Sequence, residues 1–243
     1  RALFADIEKV EYHNHYQPNN ADIAFLAGMD WHAYINSGAE HSLIFNLIQH
    51  VRHGDKNEAL FDFLAQPAVR LCVSTSVKNA IEPYANGPCH VIRMGVSLPR
   101  LNEKKARCLY IVGNKQPELG QKIYAWSQQM GITAKLEDQK VERLDLLRNM
   151  SSSQVTLALP NKSEGFYLPG VEAMYYSDAA IVPYCVANKE YFSSKANIRI
   201  PDYSEEAIKN EILSAIRLNP LTNFARKWHG KRIARQYSLT VER

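Results

Sequence analysis

Apolar residues along this chain fall into short runs, separated by stretches in which they recur every three or four positions. The first pattern predicts buried strands and the second predicts helices. In the first part, residues 21–28, 42–48, 68–74 and 90–93 read as strands. Residues 42–48 are almost continuously apolar, as expected of a parallel strand buried on both faces. Residues 29–37, 58–64 and 77–84 read as helical, the last ending before Asn86-Gly87-Pro88. Residues 1–7 read as the tail of a helix and 10–12 as a brief strand. The polar, proline-containing residues 97–105 break the alternation and read as a linker.

Beyond the linker, residues 107–112 form a strand closed by Gly113. A helix follows Pro117. Its Leu119, Ile123, Trp126 and Met130 make one apolar stripe, and Gly131 is the expected C-cap. Residues 132–136 are a strand, and 141–149 a helix with Leu144 and Leu147 inward. Residues 155–159, 179–182 and 197–200 are further strands. Asp202 and Glu205 suit the N-cap and N3 positions of a capping box. Ile208, Ile212, Ala215 and Ile216 line that helix, and Asn219-Pro220 is expected to end it. Residues 224–237 read as a basic amphipathic helix in which Trp228 packs. Strands alternating with helices imply α/β architecture with parallel sheets.

Composition narrows the class. The 243 residues suit one large or two small domains, and 46% hydrophobic with 22% charged residues is ordinary for a globular protein. No apolar run approaches the roughly 20 residues that cross a bilayer. A net charge of +4 is too mild for a dedicated nucleic-acid binder. Cys72, Cys89, Cys108 and Cys185 form no C-x-x-C pair and lie in or beside apolar runs, so they read as buried thiols of a reducing, cytoplasmic protein. Among the eight histidines, His50 and His53 are close in sequence, but no zinc-type ligand spacing completes them, and no metal is expected. The chain begins at Arg1 rather than at methionine and is expected to be a fragment.

The chemistry concentrates in residues 155–186. A strand bounded by Pro160 leads into the polar loop 161–167, and Leu168-Pro169 opens a helix because proline suits its first turn. Free N–H groups and the positive dipole end at such a terminus attract phosphate. Gly165 permits close approach of the backbone to a ligand. Glu164 in the loop and Glu172 in the helix are carboxylates, each able to accept two O–H donors. Two such acceptors around an anion-attracting turn outline a nucleotide sugar. The plainer alternative is an α/β loop with two solvated glutamates.

The eleven residues from Glu164 to Met174 (EGFYLPGVEAM) resemble the donor-site motif of retaining GT-B glycosyltransferases, the large group 1, family 4-like set that includes sucrose and glycogen synthase-like enzymes. The resemblance extends to residues 28–31, 46–50, 72–74 and 91–96, which are similar to strand ends facing the cleft in that family. It implies a GT-B fold of two Rossmann-like domains. Residues 1–98 would form the acceptor side, completed by a C-terminal helix in 224–243 crossing back, and 99–223 the donor side. About one βα unit would be missing at the N-terminus. It implies that Glu164 contacts the donor sugar, that the amides of Gly165, Phe166 and Leu168 hold the distal phosphate, and that Glu172 binds the ribose diol. Gly113 would border the phosphate. Asn114 stands where the family commonly has arginine, so Lys115, or Lys162, would supply the cation.

Asp30 would bind a sugar hydroxyl or accept a proton, with a helix N-cap as the plainer role. His50, Arg52 and His53 would contact acceptor or phosphate, or form a surface turn. The expected activity is retaining, metal-independent transfer from a nucleotide sugar to a glycan or lipid-linked acceptor, with no cofactor beyond the donor and no nucleic acid. The alternatives are a non-catalytic nucleotide-sugar-binding subunit and a sugar-nucleotide epimerase. Arg226, Lys227, Lys231, Arg232 and Arg235 could rest the tail helix on an anionic membrane, or simply be solvated.

Overall fold

The computed structural model describes residue 17, residues 21–92 and residues 94–239. The elements expected at residues 1–7 and 10–12, and Arg93, lie outside the described residues.

The first sheet contains β1 (Ile23–Ala27), β2 (Leu43–Ile48), β3 (Val69–Cys72) and β4 (Cys89–Val91), parallel and in that order. Helices α1 (Asp30–Asn36) and α2 (Thr75–Ile81) lie in its connections. Ser74 caps α2, its hydroxyl accepting from the Val77 N–H. The helix expected over 58–64 does not form. Turns lead instead to a 3-10 helix, Asp62–Ala65. The Asp55 carboxylate accepts from the Asn57 N–H, a local bond that competes with helix propagation.

Burial alternates along β2. Ile44, Asn46 and Ile48 are buried, whereas Leu43, Phe45 and Leu47 are only half-buried, and Phe25, paired with Phe45, is 60% exposed. The two-sided burial suggested by the apolar run is therefore absent. One face packs on Trp31, Tyr34, Phe63, Leu64, Val77 and Ile81. On that face Arg70 is fully buried. It donates to Asn46 Oδ1 at 2.7 Å, to the carbonyls of Phe63 and Leu64 at 3.0 and 3.1 Å, and to Gln66 O. Burial lowers its pKa to about 10, and the carbonyls offset part of the desolvation.

The second sheet runs β6 (Ala134–Glu137), β5 (Arg107–Val112), β7 (Ser153–Ala158), β8 (Ala179–Ile181), β9 (Ile198–Arg199), all parallel. Both of its faces are covered, which explains why its strands are the more continuously apolar. Helices α4 (Arg143–Ser151), α5 (Leu168–Tyr176), the short α6 (Asn188–Tyr191) and α8 (Pro220–Arg235) pack on one side, with α3 (Pro117–Gln129) and α7 (Glu205–Ile216) on the other.

Several local expectations shift. In α4, Leu147 and Met150 point inward and Leu144 outward, because the helix begins at Arg143 and its buried step is 147 to 150. In α3, Ile123 is buried, but Met130 is already the C-cap and is exposed, with Gly131 at φ +67° behind it. Ser204, not Asp202, caps α7 by accepting from the Ala207 N–H. Asn219-Pro220 opens α8 rather than closing α7: the Asn219 side chain accepts from the Leu221 N–H at 2.9 Å. The inner face of α8, at Gly230 and Ala234, packs against α5. After the helix, Tyr237 O accepts from the Val96 N–H at 2.7 Å, and the Leu239 N–H donates back to Val96 O at 3.0 Å. All four cysteines are free thiols, and Cys72, Cys89 and Cys185 are buried.

Candidate functional site

In the second sheet the chain steps from β5 outward to β6, then returns across to β7. The strand order reverses between β5 and β7, and at such a switch point open α/β sheets leave a crevice at the strands' carboxyl ends. Two loops meet there. One follows β5 and carries Lys115, and the other follows β7 and carries Glu164.

The Glu164 carboxylate is 4% exposed. The Lys115 ammonium donates to its Oε1, and Asn161 Nδ2 donates to the same oxygen at 3.2 Å. Gln116 Nε2 in turn donates to Asn161 Oδ1 at 3.3 Å. From the first sheet, His50 Nε2 comes within 3.8 Å of Oε2, too far for a hydrogen bond. His50 follows β2, and its backbone forms an antiparallel bridge with Glu164. The carboxyl edges of the two sheets therefore meet on Glu164.

Electrostatically the cluster holds one ion pair, and its surroundings favour the neutral form of both imidazoles. Burial lowers the His50 pKa below 6.5 against the opposing pull of Glu164, with Arg52 and Lys115 lowering it further. Burial, then His50, Arg52 and Arg70, hold His53 down at about 4. Tyr167 lies under Lys115, whose Nζ is 5.3 Å from the ring centroid. The Tyr167 hydroxyl is buried without a hydrogen-bond partner among the described residues.

Two glycines sit where elements approach one another closely. The Gly165 N–H donates to Gln49 O at 3.0 Å. A Cβ there would sit 2.6 Å from that carbonyl and collide with Val77. Gly165 thus lets one sheet's loop approach the other sheet, and its amide is not open to a phosphate as expected. The Gly113 N–H donates to Glu137 O at 2.8 Å, and a Cβ on it would lie 3.2 Å from Leu136 Cδ1 and 3.4 Å from Gly120 Cα, where β6 and α3 meet. The amides of Phe166 and Leu168 have no backbone partner among the described residues. The Phe166 ring lies between Tyr191 and Tyr237, with centroids at 5.8 and 5.2 Å.

Glu172 stands apart from this cluster. It is 1% exposed, with Arg143 Nη2 at 2.5 Å from Oε1. The contact is close but not aligned as a hydrogen bond, and Oε2 has no partner. Burial raises the carboxyl pKa and Arg143 opposes it. Arg143 also donates to Ser97 O at 3.1 Å. Asp30 is exposed at the first position of α1. It does not cap the helix but accepts from the Ala27 N–H at 2.9 Å. Lys162 is turned away, its ammonium 5.4 Å from the Tyr203 ring.

The structure thus joins His50, Lys115 and Glu164, with His53 beside His50, and gives Asp30, Lys162 and Glu172 other partners. Sequence reasoning missed Asn161, Gln116, Tyr167 and Arg143. Asn161 had a faint signal in its three-residue spacing from Glu164, whereas Arg143 had none. Among the described residues no three His, Cys, Asp or Glu side chains are arranged to hold a metal ion.

No family model matches the sequence, and no curated protein matches it. Solved structures do. Sucrose-phosphate synthase from Thermosynechococcus elongatus superposes with a TM-score of 0.67 at 10% identity, over 90% of this chain and 70% of that one. The α,α-trehalose-phosphate synthase (UDP-forming) from Burkholderia vietnamiensis gives 0.60 at 12% identity, over 88% and 69%. A glycosyltransferase from Rickettsia africae gives 0.58 at 11%, over 90% and 73%. The fold is GT-B. Within this GT-B fold, Lys115 and Glu164 occupy the switch point of the second Rossmann-like sheet, and His50 reaches them from the first.

Proposed function

We propose that this chain is a glycosyltransferase that moves a sugar from a nucleoside-diphosphate sugar to a glycan or lipid-linked acceptor with retention of anomeric configuration. The observation that carries this reading is the ion pair of the solvent-accessible Lys115 with the buried Glu164 at the switch point, beside the Phe166 and Leu168 amides, which have no backbone partner among the described residues. Breaking the bond between sugar and diphosphate builds negative charge on the leaving group, and fixed cations and amides stabilise it. On donor binding the Lys115 ammonium turns to the distal phosphate, together with the Phe166 and Leu168 amides. Glu164, released from Lys115, accepts sugar hydroxyls. Glu172 takes the ribose hydroxyls once Arg143 has moved aside. Asp30 accepts a hydroxyl nearer the acceptor, and the neutral His50 offers a donor or acceptor for the same substrate.

A panel of UDP-, GDP- and ADP-sugars, titrated by calorimetry and then incubated with the protein, tests this. One donor class should bind, and Glu164→Gln should weaken the nucleotide sugar more than the free nucleotide. If no member of the panel binds, the reading is wrong. A second reading, a non-catalytic nucleotide-sugar binder, is favoured by Asn114 beside Lys115 and by the Arg143 cover on Glu172. It predicts binding with neither transfer nor donor hydrolysis.

A further inference from the structure

Helix α8 reverses the usual sorting of side chains. Its inner face is small, Gly230 and Ala234, and its outward face carries Leu221, Phe224 and Trp228, which are 81%, 74% and 54% exposed. These follow the i, i+3, i+7 spacing of one helical stripe. The helix is about 24 Å long at 1.5 Å per residue. It contains no acidic residue and five cations: Arg226, Lys227, Lys231, Arg232 and Arg235. Arg232 lies over the Trp228 ring at 6.0 Å. Because apolar and basic groups share the outer face, this is not the sorted amphipathic helix expected from the sequence, and Trp228 does not pack into the core.

The cations border a hollow. A cavity of about 480 Å³ is lined by Arg100, Lys105, Lys227, Lys231 and Arg235 with the Tyr175 and Tyr176 rings, against the single carboxylate of Glu103. A second, also about 480 Å³, shares Lys227 and Lys231 and is bordered by Phe224 and Asp178. The cationic hollow is thus continuous with the apolar edge. Asp178 is already shared, at 2.5 Å from Lys227 and 3.4 Å from Lys105. Lys231 and Arg235 lie against the Tyr175 ring at 5.4 and 6.0 Å and make no ion pair among the described residues. Burial and then Lys227 lower the Lys105 pKa to about 8, against the opposing pull of Asp178.

We propose that α8 docks the protein on an anionic phospholipid surface. Leu221, Phe224 and Trp228 enter the interface, and the hollow formed by Lys105, Lys227, Lys231 and Arg235 takes a lipid phosphate. A basic helix with exposed Trp, Phe and Leu gains from both apolar burial and charge at such a surface. Charge complementarity selects this occupant: cations outnumber the two carboxylates, Glu103 and Asp178, around the hollows, and the helix itself carries no acidic residue, as docking on an anionic leaflet requires. The inference is independent of the donor assignment, since none of these residues touches the Lys115–Glu164 cluster.

The test is co-sedimentation of the full chain with vesicles of phosphatidylcholine alone, or with one third phosphatidylglycerol. Binding should require the anionic lipid and shift Trp228 emission to the blue, a shift that Trp228→Phe removes because Trp31 is buried and Trp126, half-buried on α3, packs on the opposite side of the second sheet from α8. Lys231→Gln with Arg235→Gln should weaken partitioning about thirtyfold, at about fivefold per cation. Phe224→Ala with Trp228→Ala should weaken it at least about tenfold. All four positions are exposed or half-exposed, and thermal melting checks that the variants fold. The proposal is overturned if the protein ignores anionic vesicles at low ionic strength, or if both variant pairs bind like the parent. RNA binding through these residues without vesicle binding would equally overturn it.

Discussion

Replacing Arg143 by alanine isolates what holds the Glu172 carboxylate. That carboxyl is 1% exposed, and the guanidinium 2.5 Å away is 46% exposed. Two unit charges about 4 Å apart at an effective dielectric near 20 attract by about 4 kcal/mol. Half of the arginine is in water, which reduces the expected loss to about 2 kcal/mol. The loss has a ceiling. An unpaired carboxyl can take up a proton at pH 7 instead, which costs about 3 kcal/mol from an ordinary value near 4.5. For a chain of this size about 2 kcal/mol lowers Tm by about 4–8 °C.

The pH dependence carries the sharper signature. Burial raises the folded Glu172 pKa above 4.5. The folded carboxyl therefore holds its proton more tightly than the unfolded one. Its effect on stability is most favourable below the unfolded value and worsens as pH rises through the folded one. Arg143→Ala raises the folded value further. Its deficit against the parent should then be large at about pH 7.5 and shrink towards about pH 5. Glu172→Gln in the Arg143→Ala background should restore neutral-pH stability, because no charge remains to strand. Scanning calorimetry of the three proteins across that range decides it. A deficit that does not vary with pH, or no deficit at all, would refute the account of Glu172 as an ion held by Arg143.

Three further outcomes follow from the same geometry. Lys115→Met should weaken nucleoside diphosphate binding about tenfold or more while sparing the nucleoside, since only a charge-assisted contact of about 1.5–3 kcal/mol is lost; calorimetry with both ligands reads this. Gly165→Ala should cost about 1–3 kcal/mol in denaturant unfolding, because the added methyl meets the Val77 side chain and, at 2.6 Å, the Gln49 carbonyl, and the backbone carbonyl cannot swing aside. His53, held near 4 against 6.5 for the free imidazole, favours the fold fully above about pH 6.5, and that contribution is lost as pH falls from 6.5 towards 4. His53→Phe should flatten this part of the acid-unfolding curve, and an NMR titration in which the His53 ring protonates near pH 6.5 would contradict the premise.

Much of this protein was legible from residue order alone. Runs such as 155–159 and 107–112 are apolar enough to be strands of a covered parallel sheet, and Gly131 and Pro117 punctuate α3 where the chain bends. The motif at Glu164–Met174 and the GT-B expectation drawn from it agree with the fold. Local competition defeated some expectations: Asp55 bonds Asn57 and stops a helix, and Ser204 outcompetes Asp202 for the α7 cap. What only tertiary structure decided is which charges meet. Lys115 and Glu164 are separated by 49 positions and meet only because the strand order reverses between β5 and β7. Gly165 fits by pressing one sheet's loop onto the other, and Arg143 covers Glu172 from a helix with no sequence signal for it. Periodicity records the face that each residue turns to its own neighbours. Long-range pairing depends on how whole layers cross, and side chains such as Leu221, Phe224 and Trp228 are left outward by packing that no local pattern encodes.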